Sequence, residues 1–143
     1  MKSQAQREGL DCSGLVTIEG SRTTFTDAFT SEETGRRTHL YYPGTSGLMT
    51  PDHFDFDGNR ARILHLGLPG LHDQMDRSWK ADPNGWVTVL KKARKAGIKT
   101  NLEMCSLPAQ RLVEVVTPCL GHLDYLIIND FEVAALANRP VRH

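Results

Sequence analysis

The sequence lacks an excess of charge of either sign and a long apolar run. Its 143 residues carry 17 Lys and Arg against 17 Asp and Glu, and this balance argues against a nucleic-acid-binding surface, which needs a basic excess. The longest apolar stretch, residues 123–128, is interrupted by Asp124 and Tyr125 and is far shorter than the roughly 18 residues of a membrane span. Residues 1–8 are polar, unlike the apolar core of a signal peptide. We therefore expect no membrane and no nucleic-acid partner.

Cysteine is also scarce. Cys12, Cys105 and Cys119 are an odd number with wide gaps, which is typical of reduced thiols and indicates a cytoplasmic protein. Apolar residues make up an ordinary share of the chain, and a chain of this length can bury a core without disulfides or structural metal.

The first 50 residues predict a small antiparallel sheet. Thr, β-branched and aromatic residues fill residues 15–19, 22–29 and 36–42, with turn residues between them, and this pattern predicts three short strands. Many of the side chains are polar, so we expect one face of the sheet to be exposed to solvent. We assign residues 1–50 to these strands and the tail before them.

Residues 51–143 predict a partial α/β core. Buried strands are expected over residues 61–66, 98–104 and 124–128, with helices between and after them, and this alternation predicts a parallel sheet. The first helix has Asp82 as its N-cap, Pro83 in its first turn, and Gly97 after its end. Pro108 opens the second helix and residues 130–137 form the third. The apolar stripes of the first two helices comprise Trp86, Val89, Leu90, Ala93, and Leu112, Val115, Val116, Leu120. Residues 70–81 predict a surface loop or one irregular turn around Met75.

Asn129 and Glu132 follow the last predicted strand, at the start of a helix. Ligands of open parallel sheets bind at the carboxyl ends of the strands, where these two side chains could hold Mg²⁺ through water beside bound phosphates. The same pair is also what an ordinary helix start requires, because Asn is a good N-cap and Glu suits the first turn. Spacing alone leaves both interpretations open.

For the other candidate residues, the sequence favours an ordinary structural role over a metal-binding or catalytic one. His65, His72 and Asp73 match no zinc-binding spacing, and His65 alternates with leucines on a strand. Residues 55–59 lack the distal Glu of a calcium loop, so we expect a polar turn. No partner base is evident for Cys105, so a small buried thiol is the default.

Several segments together resemble the ribokinase-like (PfkB-type) carbohydrate kinases. The similar segments are residues 96–103, 116–118 and 123–136, the last of which contains that family's Asn-x-x-Glu motif as Asn129 and Glu132. Residues 34–38 are similar to the family's lid hairpin, and residues 61–70 to its strand and loop leading to the sugar. The resemblance covers roughly residues 9–138 and implies an α/β ribokinase-like fold. That fold has a parallel-rich central sheet, flanking helices and a small antiparallel β-lid.

The resemblance also implies an activity: transfer of a phosphoryl group from ATP to a sugar hydroxyl, with Mg²⁺ as cofactor. By this resemblance Asn129 and Glu132 place Mg²⁺ and the nucleotide, and Arg36, Gly67 and Leu68 face the sugar. The family's Gly-Ala-Gly-Asp segment, which carries the catalytic base, is not found between Met1 and His143, and neither is its N-terminal sugar-binding loop. We therefore expect a fold that is incomplete at both ends and a chain that is inactive alone.

Two further expectations follow. A non-catalytic binding or dimerisation module on the same fold is the alternative to a kinase. Either function is compatible with a homodimer through the β-lid, or with association through exposed sheet edges. The chain departs from many relatives in having Glu103 and Cys105 on the strand after the first helix, and Leu68-Pro69 in the sugar loop, so the sequence does not indicate which sugar is used.

Overall fold

The structure is a computed structural model that describes residues 2–105 and 107–139. It begins with helix α1 (Lys2–Arg7), and an antiparallel hairpin follows, formed by β1 (Phe25–Thr30) and β2 (Arg37–Tyr42). Phe25 lies opposite Tyr42, and Thr30 lies opposite Arg37. The strands predicted over residues 22–29 and 36–42 are therefore confirmed in their essentials.

The strand predicted over residues 15–19 is wrong. Leu15 and Val16 lie in an irregular, exposed segment, where the Leu15 N–H donates to the Cys12 carbonyl in a turn. β-Branched residues favour a strand only where a neighbouring strand completes their hydrogen bonds. Within the described residues the hairpin has two strands, and neither pairs with this segment.

A second sheet forms the core of the remaining chain, with its three strands parallel as predicted. Its order is β3 (Ile63–Leu66), β4 (Lys99–Leu102), β5 (Tyr125–Leu126). The connecting segments contain α2 (Asp73–Asp76), α3 (Gly85–Lys95) and α4 (Ala109–Val116), and α5 (Asp130–Leu136) follows β5. Short 3-10 helices span Gly44–Leu48, Pro51–His53 and Thr117–His122. Residues 106 and 140–143 of the predicted core lie outside the described residues.

Helix α3 begins two residues later than predicted. Asn84, rather than Asp82, is its N-cap, and the Asn84 side-chain oxygen accepts the Val87 N–H at 3.0 Å. Asp82 is occupied elsewhere, because its carboxylate accepts the Thr88 hydroxyl at 2.7 Å and pairs with Lys91. The end of the helix agrees with the prediction, since Gly97 adopts a left-handed conformation with φ +76°.

The core lies between the sheet and helices α3 and α4. The predicted stripe of α3 is fully buried, and so are three of the four residues predicted for α4; Leu120 is exposed because α4 ends at Val116 and a 3-10 helix follows. Met75 is also fully buried, on the single helical turn of α2. The central cluster contains Leu66, Met75, Trp86, Val89, Leu90, Leu102, Leu112, Val115 and Val116.

Two of the strands predicted to be buried are largely exposed. β3 and β5 each have one neighbouring strand in the described chain, and Ile63 and Tyr125 are about half exposed. Only β4 is covered well, because it has a strand on both sides. In the part of the chain that the structure describes, no helix has both the length and the apolarity needed to cross a membrane.

Candidate functional site

The carboxyl ends of the three core strands meet at one edge, because the strands are parallel. Gly67 follows β3, Glu103 and Cys105 follow β4, and Asn129 follows β5 at the start of α5. The sequence predicts a site at this edge; the parallel pairing confirms the sheet, and the site itself stays a prediction.

Asn129 and Glu132 form a complete capping box. The Asn129 side-chain oxygen accepts the Glu132 N–H at 2.8 Å, and Glu132 Oε2 accepts the Asn129 N–H at 3.1 Å. Glu132 is only 4% exposed, whereas Asn129 is exposed. The pair therefore performs the capping role, and it also fixes a buried carboxylate at the edge where the strands end.

Cys105 lies close to this carboxylate. Burial raises the pKa of the Cys105 thiol, and the nearby negative charges of Glu132 and Asp76 raise it further. A raised pKa keeps the thiol protonated at neutral pH, so Cys105 does not have the thiolate character of a nucleophile. Burial is the larger of the two effects on its pKa, and the neighbouring carboxylates add to it.

The loop after β3 crosses close to the end of β4. A side chain at Gly67 would place its Cβ 3.1 Å from the Glu103 carbonyl oxygen and 3.2 Å from Glu103 Cβ, so a larger residue there would require the loop or the end of β4 to shift by a few tenths of an ångström. His72 Nδ1 lies 3.0 Å from the Leu68 carbonyl. Burial lowers the pKa of His72, and its ring meets Trp86 edge-on at 5.3 Å.

Asp76 anchors the same loop to the core. Its Oδ1 accepts the Gly70 N–H and the Trp86 indole N–H, each at 2.8 Å, while Oδ2 lies 3.1 Å from Arg111 Nη2. The sequence analysis missed this residue, because its partners lie up to 35 positions away and no local pattern reports them. Asp76 holds the loop that contains Gly67 and Leu68 against α3 and α4.

A second polar cluster lies across β3 and β4, where the exposed side chains of His65 and Glu103 meet the buried Asn101. His65 Nε2 lies 2.8 Å from Glu103 Oε2, and the Asn101 amide nitrogen donates to His65 Nδ1 at 2.7 Å. Both ring nitrogens of His65 are thus occupied. Among residues 2–105 and 107–139, no group of three or more His, Cys, Asp or Glu side chains is arranged to hold a metal ion.

The hairpin reaches the loop through Tyr41. The Tyr41 hydroxyl donates to the Leu71 carbonyl at 3.2 Å, three residues after Leu68. Arg36 lies in the hairpin turn, where its carbonyl accepts the Ser31 N–H. Five residues of strand separate Arg36 from Tyr41, about 17 Å along the hairpin, so Arg36 belongs to the tip and Tyr41 to the end that meets the core.

A mostly apolar cavity lies away from the strand ends. It has a volume of about 410 Å³ and lies beside the base of the hairpin, with a lining that includes Val16, Ile18, Leu48, Met49 and Phe54. The polar chemistry at the edge and the apolar hollow are thus separate features of the chain.

The chain is thus an α/β protein. Its parallel sheet has a close glycine crossing, a capped helix and a buried carboxylate at the strand ends, and a β-hairpin lies beside the loop. The model of the pfkB family of carbohydrate kinases matches residues 1–142. The chain belongs to that family, as its resemblance to the ribokinase-like kinases had indicated. Comparison with curated proteins and with solved structures gave no match.

Proposed function

We propose that this chain takes part in ATP-dependent phosphorylation of a sugar hydroxyl, with residues 1–50 as the lid and residues 51–143 as the core. Membership of the carbohydrate kinase family supports the reaction class. The observation that carries the proposal is the buried Glu132 carboxylate, held by Asn129 at the carboxyl edge of a parallel sheet, since this edge is where such sheets bind nucleotides.

The residues at this edge fit Mg²⁺ that keeps its own water molecules. Glu132 Oε2 is engaged by the Asn129 N–H, and the described residues contain no three-ligand metal group. Mg²⁺ is usually bound by one or two carboxylates together with water and phosphate oxygens. Glu132 and Asn129 would hold such an ion, which when bound neutralises charge on the transferring phosphoryl group.

Nucleotide titration of the wild type and of one matched variant tests the role of Glu132. The E132Q variant keeps a side chain able to complete the capping box but removes the charge. We expect it to unfold like the wild type and to bind MgATP about ten-fold more weakly, while binding of ATP in EDTA stays unchanged. Amide shifts around Asn129 report the binding. Equal MgATP affinity in E132Q and wild type would reduce Glu132 to a capping residue.

The sugar acceptor is proposed to lie beside the loop, near Gly67 and Leu68. Arg36 lies at the hairpin tip, about 17 Å along the strand from Tyr41, and would meet the sugar only when the tip bends over the loop. The close crossing of Gly67 over Glu103 and the anchoring of the loop by Asp76 support a preformed wall. Saturation-transfer NMR with a panel of neutral sugars tests this. L68A and R36A should each weaken the signal, whereas L48A, at an exposed leucine elsewhere, should not.

A second candidate function, a dimerisation module, is favoured by the outer face of the hairpin. Strand alternation places Phe25, Phe29, Leu40 and Tyr42 on one face, and all four are exposed, Phe29 and Leu40 by 58%. Tyr41 is on the opposite face and contacts the core, so the apolar face points outward. We propose a second copy of the chain as its occupant, because a two-fold axis would pair this face with itself.

Sedimentation separates the dimer from a monomer. L40K places a lysine opposite Asp27 in the hairpin register, which suits the hairpin itself but puts charge into the proposed interface. We expect L40K to sediment as a monomer and H39K, on the opposite face, to remain dimeric. A wild-type chain that stays monomeric at high concentration would contradict the proposal.

A cytoplasmic location is proposed from the thiols and the cosubstrate. Cys12, Cys105 and Cys119 are all free, and reduced thiols and ATP are both typical of the cytoplasm. Fractionation of cells that express a tagged chain tests this directly, and recovery outside the cytoplasmic fraction would contradict it.

A further inference from the structure

Two dipeptides of the chain have a sequence that permits rearrangement of the main chain. Asp57-Gly58 and Asn84-Gly85 each place a carboxyl or amide side chain directly before a glycine. The glycine nitrogen is not shielded by a Cβ, so it can attack the side-chain carbonyl carbon of the preceding residue and close a succinimide ring. By sequence alone Asn84-Gly85 is the faster pair, because ammonia leaves a side-chain amide more readily than water leaves a carboxyl group.

The fold protects Asn84. This residue is 2% exposed, its Oδ1 accepts the Val87 N–H at 3.0 Å, and its amide nitrogen donates to the Val115 carbonyl at 2.9 Å. Asn84 is the N-cap of α3, with ψ 169°, and ring closure requires a rotation about this ψ that would carry α3 with it. Gly85 is packed so closely that a Cβ there would lie 2.9 Å from Pro51 Cγ. The pair with the more reactive sequence is therefore held in an unreactive geometry.

Asp57 and Gly58 lack this protection. Both are exposed and lie in a turn, and a Cβ built on Gly58 would meet no atom within 4 Å. The Asp57 N–H donates to Asp55 Oδ1 at 2.9 Å, but among the described residues the Asp57 carboxylate itself has no hydrogen-bond partner. A backbone hydrogen bond from Asn59 to the Phe56 carbonyl, at 3.1 Å, closes the turn. Rotation about ψ of Asp57 thus disturbs an exposed turn and no helix.

We propose that Asp57-Gly58 is a site of isoaspartate formation in the folded chain. The Gly58 nitrogen bonds to Cγ of Asp57 and loses its proton, while the carboxyl group loses a hydroxyl group, and the two leave as one molecule of water. Water then adds to the other ring carbonyl, which is the former main-chain carbonyl of Asp57, and breaks its bond to the Gly58 nitrogen. The main chain now runs through the Asp57 side chain, and a carboxylate remains on its Cα.

The product is the substrate of a methyltransferase of a definite chemical class. Such an enzyme transfers the methyl group of S-adenosylmethionine to the carboxylate of an isoaspartyl residue, and S-adenosylhomocysteine leaves. The rearrangement keeps the charge of Asp57 but adds one carbon to the main chain, in the loop that lines a polar hollow with Asp11, Asp55 and Arg60. This inference is independent of the proposed kinase function.

Peptide mapping of the folded chain after prolonged incubation at neutral pH tests the proposal. Trypsin releases residues 38–60 and 81–91 as two peptides, because each contains Lys or Arg only as its last residue. Isomerisation of Asp57 leaves the mass unchanged. It is detected by transfer of labelled methyl groups with added isoaspartate methyltransferase, and is located by electron-transfer fragmentation. Deamidation of Asn84 raises the mass of its peptide.

The two peptides should behave differently in the folded chain. We expect the methyl label in the peptide of residues 38–60, at Asp57 and not at Asp52 or Asp55, neither of which precedes a glycine. We expect the peptide of residues 81–91 to keep its mass. An aged wild-type chain without label at Asp57 would overturn the proposal.

A matched variant and an unfolded sample complete the test. D57E keeps the negative charge, but its longer side chain closes a ring much less readily, so the label should be lost. In urea Asn84 is no longer protected, and we expect its deamidation to become at least about ten-fold faster, which corresponds to about 1.4 kcal/mol of protection by the fold. Label that persists in D57E, or deamidation of Asn84 at the same rate in the folded chain and in urea, would contradict the inference.

Discussion

Replacement of Asp76 should lower the free energy of unfolding strongly, although D76N changes only a few atoms. Its side chain is 4% exposed, and three donors from three segments converge on it: the Gly70 N–H, the Trp86 indole and the Arg111 guanidinium. D76N keeps one oxygen for the two donors on Oδ1. It replaces Oδ2 by an amide group that cannot accept from Arg111.

The size of the effect follows from how far Arg111 is buried. Removing one partner of a fully buried ion pair costs about 3–5 kcal/mol. Arg111 is 39% exposed and keeps its second partner, Glu114, at 3.0 Å, so water compensates part of the loss. We expect D76N to lower the free energy of unfolding by about 2–3 kcal/mol, which corresponds to a melting temperature about 6–10 °C lower. D76A should cost more, about 4 kcal/mol, because the Gly70 and Trp86 donors also lose their acceptor.

Urea unfolding followed by tryptophan fluorescence measures these differences, and Trp86 reports the site directly. The control is E114A, which removes the exposed partner of the same arginine; Glu114 is 67% exposed, so the change should stay within about 0.5 kcal/mol. A D76N variant within 1 kcal/mol of wild type, or an E114A variant as unstable as D76N, would refute the reasoning.

Two further predictions concern single side chains. Asn84 is buried, and its amide nitrogen donates to the Val115 carbonyl at 2.9 Å; N84A should therefore lower the free energy of unfolding by about 2–3 kcal/mol in urea titration, about 1 for the lost cap and the rest for the orphaned carbonyl. A loss below 1 kcal/mol would show that water replaces it. The hydrogen bond from Lys99 at 2.9 Å lowers the pKa of Asp124 to about 2. Because the folded pKa is the lower one, the stabilisation is complete above about pH 4 and is lost as the pH falls towards 2. NMR titration should show this pKa in the wild type and a value nearer 4 in K99M, and a wild-type midpoint near 4 would contradict the prediction.

Local patterns were enough to predict α3, α4 and α5 and the parallel sheet of the core, but not α1 in the polar residues before the hairpin. The stripe of Trp86, Val89, Leu90 and Ala93 is visible in the sequence because each residue lies within one or two turns of the next. Gly97 was predictable as the residue after the helix for the same reason, since a left-handed ending suits glycine.

The errors have a different physical origin. The sequence predicts that strands β3 and β5 are buried because both contain apolar runs. Such a run has the same sequence pattern whether a strand has one neighbouring strand or two. The site partnerships of Asp76 with Arg111 and of His65 with Asn101 join residues 35 and 36 positions apart, and no spacing rule connects such pairs. Asn129 and Glu132 were found because a capping box is local, and their role toward a nucleotide stays a prediction.

The two unlike edges of the core sheet have a consequence for how copies of this chain aggregate. An edge of β3 that pairs with the edge of β5 on another copy leaves the same two edges free at the ends of the pair, so growth in that direction has no natural stopping point. The outer hairpin face, by contrast, is buried completely once two copies pair through it, so no such face is left for a third copy. A mass from light scattering that keeps rising with concentration would therefore indicate open-ended polymerisation. A mass that levels off at twice that of the chain would indicate a closed dimer.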